Sequence, residues 1–238
     1  MIGIFDSGRG GYYTMQEIRK QLPCYDYLLY GDTAHMPYGE KTPDEIRRYT
    51  FEGLNRLFDQ GCNIVIIACN TAAAYSIRIR QATYPDKKAL SVTIPGVEAL
   101  IDSKTSSVLF LSTVATGESG ILPDLALRYG YEGSLRIQPC SGLAEYIEED
   151  MKTPFTEDKK RELIGQYVGE QGRNAESIVL ACTHYGVWYD TFVALYPDKR
   201  IIDPSQETAK KTVAYLSRHP ELEMKLTRGG TVREYWTK

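Results

Sequence analysis

The feature that most constrains the fold of this 238-residue chain is an echo inside it. Ile64-Val65-Ile66-Ile67-Ala68-Cys69-Asn70-Thr71 is answered, about half the chain later, by Ser177-Ile178-Val179-Leu180-Ala181-Cys182-Thr183-His184. Each is a short apolar run that ends in Ala-Cys and passes at once into small polar residues. A fainter pair, Ile2-Gly3-Ile4-Phe5-Asp6-Ser7 and Val108-Leu109-Phe110-Leu111-Ser112-Thr113, repeats at a similar offset. Solenoids use shorter periods and more copies, so two copies of one unit imply two similar halves. No low-complexity linker separates them, which predicts halves that pack tightly and cross over more than once.

The runs at 2–5, 27–30, 64–68, 108–111 and 178–181 read as strands. Several are apolar at consecutive positions, which suits a parallel sheet covered on both faces. Amphipathic segments lie between them, the clearest at 43–60. There Thr42-Pro43-Asp44-Glu45 is a capping box with proline at the first helical position, Ile46, Tyr49, Leu54, Leu57 and Phe58 form the apolar face, and Gly61 ends the helix. Alternation of this kind predicts a doubly wound α/β architecture.

Apolar residues at 42% and charged residues at 25% are the mix of a globular protein with a core, not of a disordered one. A formal net charge of −3 and the lack of a long Lys/Arg run argue against nucleic acid or an anionic membrane as the principal ligand. The chain enters an apolar run at Ile2 with no basic leader, and its longest apolar run is too short to cross a bilayer. A cytoplasmic protein is the expectation. Five cysteines with no Cys-x-x-Cys pair argue against a disulfide framework or a zinc ribbon. Free thiols follow, and Cys24, Cys62 and Cys140 read as packed structural residues.

Cys69 and Cys182 read differently. In open α/β sheets ligands bind beyond the carboxyl ends of strands, where both lie. A helix opening just after each would lower its thiol pKa from about 8.5. If the halves face each other across a cleft, one thiolate takes a proton from a carbon while the other thiol delivers one to the opposite face. That operation inverts a stereocentre, and each round exchanges the two roles, which accounts for the same residue type appearing twice.

Five motifs add to this: Asp6-Ser7-Gly8 with Gly10-Gly11; Gly31-Asp32-Thr33-Ala34 followed by Pro37-Tyr38-Gly39; Cys69-Asn70-Thr71-Ala72; Thr113 with Thr116 and Ser119; and Cys182-Thr183-His184-Tyr185. In this order, across nearly the whole chain, the set resembles the glutamate racemases of the cofactor-independent aspartate/glutamate racemase family. The resemblance implies two similar doubly wound, flavodoxin-like parallel-sheet domains related by pseudo-twofold symmetry, with the active site in the cleft between them. The expected boundaries are 1–95 plus 206–238 for the first domain and 96–205 for the second. It implies racemisation of glutamate, supply of D-glutamate for bacterial cell-wall peptidoglycan, no cofactor, no metal, and a homodimer. Its two bases correspond to Cys69, acting on the D-isomer, and Cys182, acting on the L-isomer. Asp6 corresponds to the carboxylate assisting the first thiol, His184 to the imidazole beside the second, and Glu148 to the acid near that histidine. Ser7, Tyr38, Gly39, Asn70, Thr71, Thr113, Thr116 and Thr183 correspond to the positions that hold the substrate carboxylates and α-amino group. Hydroxyls, an amide and nearby backbone N–H groups suit carboxylate oxygens.

Each assignment has a plainer alternative. Asp6 can cap the turn through Gly8, Asp32 can be a structural cap, and Glu148 lies in an acidic stretch that a solvated face also explains. His35 and His219 read as surface residues. Gly8-Arg9-Gly10-Gly11 lacks the residues that complete a phosphate loop. Against the family pattern, Gly186 stands where proline is usual, His35 replaces arginine, Cys140-Ser141 replaces Cys-Pro, Asp203-Pro204 replaces Asp-Ser, and the last helix is expected to be short. Three other readings compete: a racemase for aspartate or another acidic amino acid, a degenerate homologue that only binds, and a zinc site built from Asp6, Cys69, Cys182 and His184.

Overall fold

In the computed structural model, which describes residues 1–79, 83–84 and 87–238, the apolar runs form two wholly parallel sheets. The first contains β1 (Ile2–Asp6), β2 (Tyr27–Gly31), β3 (Ile64–Ile67), β4 (Lys88–Ser91) and, from the far end of the chain, β9 (Val232–Trp236), in the order β4-β3-β1-β2-β9. The second contains β5 (Ser107–Ser112), β6 (Ser134–Pro139), β7 (Ser177–Ala181) and β8 (Arg200–Ile202), in the order β6-β5-β7-β8. Without β9, the first sheet has the same order as the second: its opening strand lies between the second and third. The echo in the sequence is this topology, with β1 matching β5 and β3 matching β7.

The strands legible in the sequence are the buried ones. β1, β2, β3 and β7 are buried along their whole length and β5 at all but one position. Those not read in advance, β4, β6, β8 and β9, are the four edges. Their exposed positions dilute the apolar run that identifies a strand covered on both faces. Where a short final helix was expected, the last element is β9, and its polar side chains suit an edge.

Helices α1 (Gly11–Gln21), α2 (Pro43–Asp59), α3 (Asn70–Ser76) and α4 (Thr93–Ser103) alternate with the first strands. Around the second sheet come α5 (Val114–Glu118), α6 (Ile121–Arg128), α7 (Leu143–Lys152), α8 (Glu157–Arg173) and α9 (Tyr189–Leu195). Then α10 (Pro204–Arg218) returns to pack on α1, where the Thr14 and Ser205 hydroxyls meet at 2.8 Å, and α11 (Pro220–Glu223) leads into β9. The capping box at α2 is present as read: Thr42 Oγ1 accepts from Glu45 N and Glu45 Oε2 accepts from Thr42 N at 3.0 Å. Gly61 follows with φ of +83°, the left-handed turn that glycine adopts without a side-chain clash. No helix among the described residues is long and apolar enough to cross a membrane.

Glycine 53 brings α2 onto the first sheet. A Cβ there would stand 2.2 Å from the Phe5 ring, whereas one at Gly165 in α8 would meet nothing within 4 Å. Gly→Ala in a helix interior ordinarily gains about 0.5–1 kcal/mol. Gly165→Ala is expected to show that gain in urea unfolding. Gly53→Ala is expected to reverse the sign and lose about 1–3 kcal/mol through overpacking.

Candidate active site

The carboxyl ends of four central strands, two from each sheet, open on one cavity of about 90 Å³. β1 supplies Ser7 and Gly8, β3 supplies Cys69, Asn70 and Thr71, β5 supplies Thr113, and β7 supplies Cys182, Thr183 and His184. The loop after β2 adds Met36 to Gly39, and α7 adds Ala144, Glu145 and Glu148. A cavity of this size, lined by polar groups, suits a small molecule.

Gly10 lets the two halves approach closely, and Gly11 leaves room for Asp6. A Cβ at Gly10 would lie 2.5 Å from Thr183 Oγ1 and 3.0 Å from His184 Nδ1, and one at Gly11 would lie 2.4 Å from Asp6 Cβ. Gly10 is therefore an interdomain contact and Gly11 makes room for Asp6 within the first half, which accounts for a Gly-rich loop that lacks phosphate-binding residues. Asp6 itself is fully buried beneath the cavity and does not line it. Its Oδ2 accepts from Gly8 N at 2.9 Å, as the capping alternative anticipated, and its Oδ1 accepts from Thr183 Oγ1 at 3.3 Å across the domain boundary. Burial pushes its carboxyl up, against the pull of His184 and these hydrogen bonds.

The thiols sit in unlike surroundings. Cys69 caps α3, its Sγ accepting from Ala72 N at 3.3 Å, and it lies 3.1 Å from Ser7 Oγ. The expected lowering of its pKa does not follow: burial, reinforced by Asp6, pushes the thiol up to about 12 and outweighs the helix N–H. Cys182 opens no α-helix. A 3-10 turn, Tyr185–Trp188, follows instead, and its sulfur lies 3.8 Å from His184 Nδ1. His184 Nε2 in turn meets Glu148 Oε1 at 2.9 Å. Burial works against a charged imidazole, but hydrogen bonds to Cys182 and Glu148 hold its pKa well above the ordinary value. The bond to His184 holds the Glu148 carboxyl down. A cation thus faces the second sulfur, and Glu148 belongs to the site, not to a solvated face.

Three hydroxyls join the halves: Thr71 Oγ1 lies 2.9 Å from Thr113 Oγ1 and 3.0 Å from Thr116 Oγ1. Thr116 is fully buried behind the other two and does not reach the cavity, so its expected contact with substrate is replaced by support of Thr71 and Thr113. Asn70 lines the cavity with a buried Oδ1 that has no partner among the described residues. Tyr38 is a wall by its ring, since its hydroxyl donates to Asp32 Oδ2 at 2.6 Å. Asp32, buried, also meets half-exposed His35, whose ring stacks on Tyr49 at 3.8 Å. His219 is at the surface beside Glu221.

Gly186 borders the Cys182 turn. A Cβ there would lie 2.4 Å from Tyr13 Cε1 and 2.9 Å from Asp203 Oδ2, and the Tyr13 hydroxyl donates to that oxygen at 2.7 Å. Asp203 caps α10 through Ser205 N, and burial raises its carboxyl to about 6. Gly186, Tyr13 and Asp203 thus fit as one packed unit. Cys62 and Cys140 are buried as expected, whereas Cys24 is exposed because it follows the end of α1 in a turn outside the sheet.

Met36, Ala144 and Glu145 line the cavity and were not singled out from sequence. Met36 and Ala144 carry no chemical signature, and Glu145 sits in an acidic stretch that only its orientation distinguishes. Among the described residues, no group of three or more His, Cys, Asp or Glu is arranged to hold a metal ion. A wider groove of about 560 Å³ lies between β2, β9 and the end of α2, but holds no thiol or histidine.

A sequence profile of the Asp/Glu/Hydantoin racemases matches residues 12–212. The chain belongs to that family. It is 31% identical to the glutamate racemase of Dinoroseobacter shibae, over 93% of this chain and 85% of that protein. It is 34% identical to the glutamate racemase of Clostridium perfringens, over 88% and 80%. In structure it is similar to Francisella tularensis glutamate racemase, solved with D-glutamate, at a TM-score of 0.86 and 27% identity, covering all of this chain and 88% of the other. Two parallel-sheet α/β domains are thus the family's architecture as well as this chain's.

The His184–Glu148 pair can be tested without substrate. A raised imidazole pKa contributes stability below the ordinary imidazole value, lost as pH rises through the raised one. A lowered carboxylate contributes above the ordinary carboxylate value, lost as pH falls. The pair is therefore at full strength between about 4.5 and 6.5. In an NMR titration of the three histidines, Glu148→Gln is expected to move the His184 midpoint down and leave His35 and His219 in place. An unmoved His184 refutes the pairing.

Proposed function

We propose that this chain interconverts L- and D-glutamate without a cofactor, one thiol removing the α-proton while the other returns a proton to the opposite face. The observation that carries this is the placement of Cys69 and Cys182 at matching strand ends of the two halves, both opening on one small cavity. Relatives named glutamate racemase, and a structural neighbour holding D-glutamate, support glutamate over another acidic amino acid.

The chemistry follows from the resting protons. Cys69 keeps its thiol proton, and His184, its pKa held well above the ordinary value, faces the sulfur of Cys182 at 3.8 Å. This state suits the L-isomer, with Cys182 as base and Cys69 as acid, and formation of the D-isomer leaves the roles exchanged. Asp6, raised toward its neutral form by burial, limits repulsion with a Cys69 thiolate in that second state. The unpartnered Asn70 Oδ1 is an acceptor for the α-ammonium, and the Ser7 and Thr71 hydroxyls are donors for the carboxylates, while Thr113 and Thr183, whose hydroxyls donate to Thr116 and Asp6, line the same cavity. The reading includes a cytoplasmic homodimer that supplies D-glutamate for peptidoglycan.

In D2O the product of either isomer is expected to carry deuterium at the α-carbon while residual substrate stays protiated early in the reaction, since two separate groups handle the two protons. Cys69→Ser and Cys182→Ser are each expected to abolish inversion, because an alkoxide is not accessible near neutral pH. Either mutant racemising near the wild-type rate refutes the two-thiol mechanism. Equal or better turnover of aspartate refutes the substrate, and folded protein inert toward both points to a binding homologue. Thr116→Val is expected to lower kcat/KM by about tenfold through misplacement of Thr71 and Thr113, a loss of one buried hydrogen bond of about 1–2 kcal/mol.

A further inference from the structure

The last strand reaches the cavity through a chain of side chains that the proposed reaction does not use. Thr237 makes hydrogen bonds to four consecutive residues, from Gly31 at the end of β2 to Ala34. Its N–H donates to Gly31 O at 3.0 Å and its hydroxyl to Asp32 Oδ1 at 2.8 Å. Its carbonyl accepts from Thr33 Oγ1 at 2.5 Å, and its Oγ1 accepts from Ala34 N at 2.8 Å. Beside it, the Trp236 ring covers Gly31 so closely that a Cβ there would stand 2.2 Å from the indole. The Arg9 guanidinium, on the loop that carries Ser7 and Gly8, lies over the indole 5.9 Å from the ring centre.

Residues 31–34 lead directly into Met36–Gly39, which form one wall of the cavity. The link between the two is Asp32. Its buried carboxylate takes hydrogen bonds from Thr237 on one oxygen and from Tyr38 on the other, with His35 Nδ1 about equidistant from both. A buried carboxylate needs such donors, and each fixes its rotamer. With Asp32 oriented by Thr237, the Tyr38 ring is set against the substrate space.

We propose that Trp236-Thr237 is a strap that positions the substrate-facing loop, with Thr237 a positioning residue acting through Asp32 on Tyr38. The proposal rests on the racemase reading for its kinetic consequence, but not for its structural one. An edge strand that merely closed the sheet would need the backbone bonds of β9 and not the Thr237 hydroxyl. The strap requires that hydroxyl.

The test compares Thr237→Val, which keeps the β-branched shape, with Thr237→Ser, which keeps the hydroxyl. Two readouts are taken on the full chain: KM and kcat for glutamate racemisation, and the 19F resonance of 3-fluorotyrosine incorporated at position 38. Thr237→Val is expected to raise KM by about two- to tenfold, the effect of one hydrogen bond, with kcat little changed. It is also expected to shift or broaden the fluorine resonance, and Thr237→Ser to restore both. An unmoved resonance in Thr237→Val overturns the strap. So does a variant whose KM is unchanged, or whose only defect is a lower unfolding temperature. Wild-type protein without glutamate racemisation refutes the functional reading instead, and the fluorine resonance then decides the strap alone.

Discussion

A parallel sheet presents its functional loops at one end only, the carboxyl ends of its strands, and a site between two such sheets exists only if those ends can be brought face to face. Here that depends on how closely the two backbones approach. Gly10 leaves no side chain between the loop after β1 and the loop after β7, and Gly11 leaves none against Asp6, so Thr183 can donate to Asp6 across the boundary. The Thr71, Thr113 and Thr116 hydroxyls make the matching contact on the other side. The cavity lies between these two joints. Widening either would admit water and separate the thiols.

Burial at this junction also makes the two thiols unequal. Both sit at matching strand ends, but one lies over a buried carboxylate and the other against an imidazole. Removing a carboxylate and a thiol from water favours their neutral forms, and here it outweighs the helix N–H that favours a Cys69 thiolate. On the other side the desolvation of His184 is overcome by its two hydrogen-bonding partners. Twofold repetition of the backbone therefore sets the two thiols in unlike electrostatic surroundings.

How much was legible in the sequence follows from the same physics. A strand covered on both faces must be apolar at consecutive positions, so the buried strands were readable and the four edges were not. The α2 capping box was readable because its hydrogen bonds are local. Thr116 illustrates the limit: its spacing from Thr113 put it at the right strand end, but whether a hydroxyl reaches the cavity or supports one that does depends on depth. Met36 and Ala144 were invisible because they serve by position alone. Cys24 was misread as packed because its place in a turn outside the sheet is not a property of its neighbours in the chain.

By itself the sequence determined the repeated α/β unit, the strand ends at which Cys69 and Cys182 stand, and the set of polar residues beside them. Those follow from local rules of periodicity, capping and turn formation. The tertiary structure alone decided that Asp6 lies under the cavity, that His184 pairs with Glu148 on α7, and that Thr237, just after β9, meets Asp32 in the loop before Tyr38. These contacts join residues far apart in the chain, and no local rule states which donor will meet which acceptor. The sign of the Cys69 shift was decided there too, because desolvation depends on everything that surrounds a group and not on the residues beside it in sequence.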